Sequence, residues 1–216
     1  MDVTTIGIDL AKNVFQLHGA DARGKMVFTK RLSRAQLLPF LGTLRPCVIG
    51  IEACSGANYW ARQFAELGHD VRQISPQFVK PYVKSNKNDY NDAQAICEAV
   101  SRPQMRFVPP KSIEQQDLQA LHRVRVRLIR NRTALVNQTR GLLREYGVFL
   151  PVGIRRLRAQ LPEVLEDAEN ELTALTREII AEQMQQLREL EPRRLIDAAI
   201  DGMGWRRWRS GMPIGR

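Results

Sequence analysis

Residues 4–20 read TTIGIDLAKNVFQLHGA. TTIGIDLA and NVFQLHGA both have the β-branched and aromatic character of strands, with the polar stretch around Lys12 and Asn13 between them. DARGK (residues 21–25) is a second turn and leads into MVFTKRL, so three consecutive strands are joined by hairpins. A charge also sits inside this apolar start. Asp9 interrupts IGIDLA, where an unpaired buried carboxylate would be costly.

Outward from there, the pattern changes to alternating strands and helices. Ser33 can cap a helix through RAQLLPFLGTL, and Pro46 closes it. CVIGIEA (47–53) is a short apolar run suited to a buried strand, ending in Glu52. NYWARQFAELG reads as a helix that stops at Gly68, and HDVRQIS follows as a strand. Pro76 opens another helix. KSNKNDYNDAQAICEAV (84–100) begins the next, with Asn86 or Asn88 available as N-cap. Hairpin strands followed by strand–helix–strand units give an α/β fold: a mixed sheet flanked by helices.

Asp89 and Asp92 stand three apart at the head of this last helix, behind Lys80, Lys84 and Lys87. Acidic residues in a first turn complement the helix dipole, worth about 0.3–1 kcal/mol each, and that alone explains such a pair. Residues i and i+3 also share a face. Taken with Asp9 and Glu52 at strand ends, the pair makes a set of four carboxylates. Ligands of open α/β sheets bind beyond the carboxyl ends of strands. Four carboxylates gathered there repel one another unless cations sit between them, and hard divalent ions such as Mg²⁺ suit oxygen donors and phosphate chemistry.

The charge is unevenly spread. The chain has 216 residues and a net charge of +10. Residues 1–110 carry net +5, residues 111–160 net +8, residues 161–192 net −7 and residues 193–216 net +4. A solvated basic face is the simple account of the middle block; a polyanionic partner is the other. Residues 112–146 read as one long helix with a rough apolar stripe of Leu118, Leu121, Val124, Leu128, Leu135, Leu142 and Tyr146. Its segment HRVRVRLIRNR presents Arg123, Arg125, Arg127, Arg130 and Arg132, a side chain suited to bidentate phosphate contact. In residues 163–190, Leu165, Ala168, Leu172, Leu175 and Ile179 repeat with three–four spacing, then slip to Ile180, Met184, Leu187 and Leu190. This is a short coiled-coil seam with a stutter, or a face that packs on the basic helix.

Other classes find little support. Cys47, Cys54 and Cys97 are odd in number and lack CxxC spacing, and His18, His69 and His122 lie far apart, so neither a disulfide framework nor a zinc site follows. No apolar run approaches the roughly 18 residues of a membrane span, and MDVTTIGIDLAK lacks a secretory pattern. A reducing cytoplasm is the simplest setting.

IGIDLAKNVF, GIEACSGANYW and KSNKNDYNDAQAI, in that order, resemble the DEDD transposases of insertion sequences, the group related to the Piv DNA invertase. The resemblance runs over residues 3–150 and is most specific around Lys87, Asp89, Asp92 and Ala93. It implies a RuvC-like catalytic domain of ribonuclease H-like fold over residues 1–110, in which the first and fourth strands are neighbours. Asp9 and Glu52 would then face each other and the final helix would bring Asp89 and Asp92 across. It further implies Mg²⁺ or Mn²⁺, two ions, as cofactor; transposition or site-specific recombination of DNA; lysines at phosphate; and a structured guide RNA as a further partner. Residues 111–192 correspond to a helical arm used in homo-oligomerisation. Family members continue into a domain with a strand-exchange serine. GMGWRRWRSGMPIGR shows no counterpart of it, so residues 193–216 are expected to be an atypical tail, from truncation or a shifted frame, and Ser210 takes no role. A binding-only remnant is the alternative. IGIDLAK also resembles the first phosphate loop of actin-like sugar kinases, but no second glycine-rich DxGG-type loop accompanies it.

Overall fold

The computed structural model describes residues 2–83 and 89–190, with Asp89 described by its backbone alone. The chain divides into two units, Met1–Ser112 and Ile113–Arg216. Among the described residues no helix is long and apolar enough to cross a membrane.

In the first unit, β1 (Thr5–Asp9), β2 (Val14–Ala20) and β3 (Met26–Ser33) form the antiparallel meander that the hairpin reading requires. The second turn is fixed by Asp21, whose Oδ1 accepts the backbone amides of Arg23 and Lys25, both at 2.9 Å. Ser33 begins α1 (Arg34–Gly42), and Gln36 reaches back so that its Oε1 accepts the Ser33 amide at 3.0 Å. That is the reciprocal arrangement of a capping box. Then come β4 (Val48–Glu52), α2 (Ala57–Glu66) and β5 (Asp70–Ile74).

β4 pairs with β1 and β5 with β4, both in parallel. The sheet order is β3-β2-β1-β4-β5-β6, closed at its edge by the two-residue β6 (Phe107–Val108), antiparallel to β5. A meander with its first strand beside a parallel fourth is the ribonuclease H-like arrangement. β6 has no sequence pattern of its own, and sequence reading misses it. The helix opened by Pro76 is short: α3 (Pro76–Val79) passes directly into a 3₁₀ turn, Lys80–Tyr82.

Alternation along the strands sorts the two faces. Ile6, Ile8, Ile49 and Ile51 point to one side and form a fully buried core with Phe15, Leu37, Leu41, Trp60 and Phe64 under α1 and α2. The other side is covered by α4 (Asp89–Val100), where Ile96, Ala99 and Val100 pack with Ile74 and Val79. The strand residues on that face are unusual. Gly7 and Gly50 are register partners, and a Cβ on Gly7 would fall 2.2 Å from the Ala93 carbonyl oxygen. The missing side chains let α4 lie against the sheet backbone. The end of the unit is latched to α2: Asn58 Oδ1 accepts the Lys111 amide at 2.9 Å, and Arg62 donates to the Lys111 carbonyl at 2.8 Å.

In the second unit, α5 (Ile113–Glu145) is the long basic helix, followed by α6 (Ile154–Glu166) and α7 (Ala174–Glu189). Within α5 the buried side chains are Leu118, Leu128, Val136, Thr139 and Leu143, so Val124 of the expected stripe is exposed and Leu143 replaces Leu142. The continuous seam expected over residues 163–190 is broken. α6 stops at Asp167 and α7 starts after Thr173, whose hydroxyl accepts the Thr176 amide. Local polar bonding competes with helix here. Asp167 Oδ1 takes the Glu169 amide, Asn170 Oδ1 takes the Leu172 amide, and Arg177 donates to the carbonyls of Leu165 and Asp167 and to Asn170 Oδ1. The apolar residues mostly turn inward, as intramolecular packing: Leu172, Ile180 and Leu187 form one core with Val136, Leu143, Leu157 and Leu161. Residues 191–216, including the arginine–tryptophan tail, lie outside the described residues.

Candidate active site

Asp9 is the last residue of β1 and Glu52 the last of β4. The parallel register runs Thr5–Val48 through Ile8–Ile51, so the next step along both strands sets Asp9 beside Glu52. By alternation they share the face of Gly7 and Gly50, the face that α4 crosses. Both are half-buried.

α4 crosses the strands rather than following them. Its Ala93 and Cys97 sit over Gly7 of β1, while Ile96 and Val100 sit over Gly50 of β4. Earlier in the helix, the Tyr90 ring meets His18 of β2 edge-on at 6.0 Å. One flank, with Gln94, Cys97, Glu98 and Ser101, lines a cleft of about 700 Å³ at the Thr5 end of the sheet. At about 100° per residue, Asp92 lies about 160° round from Gln94. It therefore occupies the opposite flank, towards the ends of β1 and β4 where Asp9 and Glu52 stand, and it is half-buried. Asp89, one turn earlier, is the first residue of α4; its side chain lies outside the described residues.

The electrostatics join two of these groups at one point. Cys54, two residues beyond β4, is exposed, yet its thiol pKa is raised. Loss of hydration against the protein contributes most, then the negative charges of Glu52 and Asp9, opposed by a backbone hydrogen bond. A single sulfur thus feels both carboxylates. Sequence reading passes over Cys54, because nothing in cysteine spacing marks a thiol that lies beside charges from two different strands.

Among the described residues no three histidine, cysteine or carboxylate side chains stand close enough together to hold one ion. In kind, the donors fit hard divalent cations: half-buried, oxygen-only carboxylates at the carboxyl edge of a parallel strand pair.

Of the basic residues singled out in the sequence, Lys80 is exposed in the 3₁₀ turn, whereas Lys84 and Lys87 lie outside the described residues. On α5, Arg123, Arg127, Arg130 and Arg132 are exposed and Arg125 is half-buried. They alternate with exposed aliphatic side chains, Val124, Val126 and Ile129. On α6, half-buried Arg158 donates to the Leu187 carbonyl at 2.7 Å, and its pKa is lowered by loss of hydration and then by the charge of Arg132.

Several known proteins are similar to this chain. A probable family 20 transposase of Pseudomonas aeruginosa is 55% identical over 166 residues, 77% of this chain and 48% of that protein. The transposase for insertion sequence element IS1111A of Coxiella burnetii is 52% identical over 164 residues, 76% of this chain and 45% of its own. The chain spans about half the length of the curated relatives it matches. Among solved structures, Thermus thermophilus RuvC is 14% identical with a TM-score of 0.38, covering 48% of this chain and 99% of that one. The IS110 DEDD transposase model matches residues 6–148, and the chain belongs to that transposase family.

Proposed function

We propose that this chain acts on phosphodiester bonds of DNA as a divalent-metal-dependent transposase or site-specific recombinase. The observation that carries this reading is the adjacency of Asp9 and Glu52 at the ends of two parallel strands, with the Asp92 flank of α4 turned towards them. Asp9, Glu52, Asp89 and Asp92 would hold Mg²⁺ or Mn²⁺, two ions. When bound, such ions activate an attacking oxygen and stabilise a leaving one.

The protein's own groups do the positioning. β1 and β4 fix Asp9 and Glu52 relative to each other, and the glycine floor fixes the depth of α4, hence where Asp92 stands. Lys80, Lys84 and Lys87 orient the nucleic-acid backbone without reading sequence. The arginines of α5 supply a second phosphate-binding surface, open to DNA and to a structured guide RNA. Residues 1–110 form the catalytic domain and residues 111–192 the arm through which copies associate, in the cytoplasm. Cleavage of nicked or branched DNA with Mg²⁺ or Mn²⁺ tests the reading, with Asp9→Asn and Glu52→Gln as inactive controls. Binding without cleavage under either metal selects the binding-only alternative.

A further inference from the structure

The turn between α5 and α6 exposes apolar side chains on a backbone that is firmly held. Phe149 is 76% and Val152 84% exposed. Their neighbours Val148, Leu150 and Ile154 pack into the core of the second unit, so the exposed pair is the outward half of an ordered loop.

Several contacts fix it. The Val148 amide donates to the Leu143 carbonyl and the Gly147 amide to that of Arg144, both at 3.0 Å. Gly147 and Gly153 take φ values of 71° and 113° at the two bends, conformations that other residues adopt at a cost. Arg140 donates from beneath to the carbonyls of Pro151 and Gly153, at 2.7 and 2.9 Å. A loop with this much polar bracing cannot readily collapse to hide Phe149.

Charge says what the pair meets. Exposed arginines flank the loop on both sides, Arg144 beside the exposed Glu145 at the end of α5 and Arg155 and Arg156 at the start of α6, so three cations outweigh one anion. Cations in a first helical turn oppose the dipole, by about 0.3–1 kcal/mol each, and no acidic side chain stands in that turn. An exposed aromatic ring on a loop whose flanks carry a net positive charge has the chemistry of base stacking with phosphate contact.

We infer that the loop 147–153 is a DNA-contacting wedge, in which Phe149 stacks on a base that is unpaired or levered out of its stack while Arg144, Arg155 and Arg156 hold the flanking phosphates. The inference rests on the DNA-binding part of the proposed function and adds the feature that is read: a break in stacking.

The test uses the full chain and two duplexes of one sequence, one carrying a single unpaired 2-aminopurine. Wild type should bind the bulged duplex about tenfold more tightly than the paired one and change the 2-aminopurine emission. Phe149→Ala should erase that preference and leave affinity for the paired duplex unchanged. Phe149→Trp should restore it. Because the Phe149 side chain is largely exposed, its truncation removes little packing. Triple replacement of Arg125, Arg127 and Arg130 by Gln should instead weaken both duplexes alike. A preference that survives Phe149→Ala, or equal binding of both duplexes by wild type, overturns the wedge while DNA binding itself stands. Failure of wild type to bind either duplex overturns both. A smaller sedimenting species for Phe149→Ala, with unchanged DNA preference, identifies the loop as a contact between copies and overturns the wedge.

Discussion

Gly7 and Gly50 stand opposite each other in register on β1 and β4, and the backbone of α4 rests on the first of them. The two positions are not equivalent. A Cβ on Gly7 would meet main-chain atoms, the Ala93 oxygen at 2.2 Å and the Cys97 nitrogen at 2.4 Å. A Cβ on Gly50 would meet the side chain of Val100 at 2.9 Å. Gly7→Ala should therefore cost about 3 kcal/mol or more and Gly50→Ala about 1–2 kcal/mol, within the range for overpacked cores. Denaturant titration of both variants decides it. The reverse order would mean that α4 is free to lift.

The three thiols should differ sharply in reactivity. Burial pushes Cys47 and Cys97 up to about 11, while Cys54 is exposed and raised by lost hydration and by Glu52 and Asp9. Alkylation near pH 8 in metal-free buffer should label Cys54 first. Glu52→Gln removes one raising charge, increases the thiolate fraction and should accelerate labelling a few-fold. An unchanged rate would separate Glu52 from the sulfur. For the buried pair, the folded-state pKa lies above the unfolded 9.0. Their contribution to stability is thus complete below pH 9 and fades as pH rises towards 11.

Arg177 holds the break between α6 and α7 through the carbonyls of Leu165, Asp167 and Leu172 and through Asn170 Oδ1. With a net value of about 0.5–1.5 kcal/mol per hydrogen bond, Arg177→Ala should lower stability by about 2–3 kcal/mol. Arg177→Lys should recover little of that, since an ammonium cannot reach the same acceptors at once. Equal stability of Lys and Arg at this position would make the clamp incidental.

What was legible in the sequence follows from which interactions are local. Period-two patterning, turn residues and the Ser33–Gln36 cap are each encoded within a few residues, so the meander, α1, α2 and the long α5 can be read directly. The seam misleads for the same reason. Leucine spacing gives a period, but the decision to break at Asp167–Thr173 rests on side chains bonding to backbone across the gap. Likewise the carboxylate types are visible at Asp9, Glu52 and Asp92, whereas the shared field at Cys54 and the flank occupied by Asp92 depend on strand register and on the glycine floor.

The proposed association of copies through the arm would use what the broken seam leaves outside. Leu172 is buried, but Leu175 is 66% and Ile179 41% exposed, and they line a shallow groove with Leu135, Glu178 and Glu182. If copies meet here, Leu175→Glu with Ile179→Glu should shift sedimentation towards monomer without loss of helicity. Leu172→Glu should instead unfold the unit. A double variant that sediments like wild type would move the contact elsewhere.

The metal reading can be tested without turnover. Asp9 and Glu52 place two negative charges beside each other at strand ends, with Cys54 registering both. Like charges held side by side in the fold repel one another more than they do in the unfolded chain. Neutralising one charge should stabilise the metal-free protein, so Asp9→Asn should raise its Tm by about 2–4 °C, the scale of about 1 kcal/mol in a chain of this size. A divalent ion that binds only the folded state adds RT ln(1 + [L]/Kd), about 2.7 kcal/mol at a hundredfold excess over Kd. Wild type should show this rise with Mg²⁺ or Mn²⁺, and Asp9→Asn should lose most of it. Asp21→Asn is the control, because asparagine keeps the Oδ1 that accepts the Arg23 and Lys25 amides; it should leave the metal response intact. A destabilised metal-free Asp9→Asn with a full metal shift would make Asp9 a structural residue and remove the four-carboxylate site.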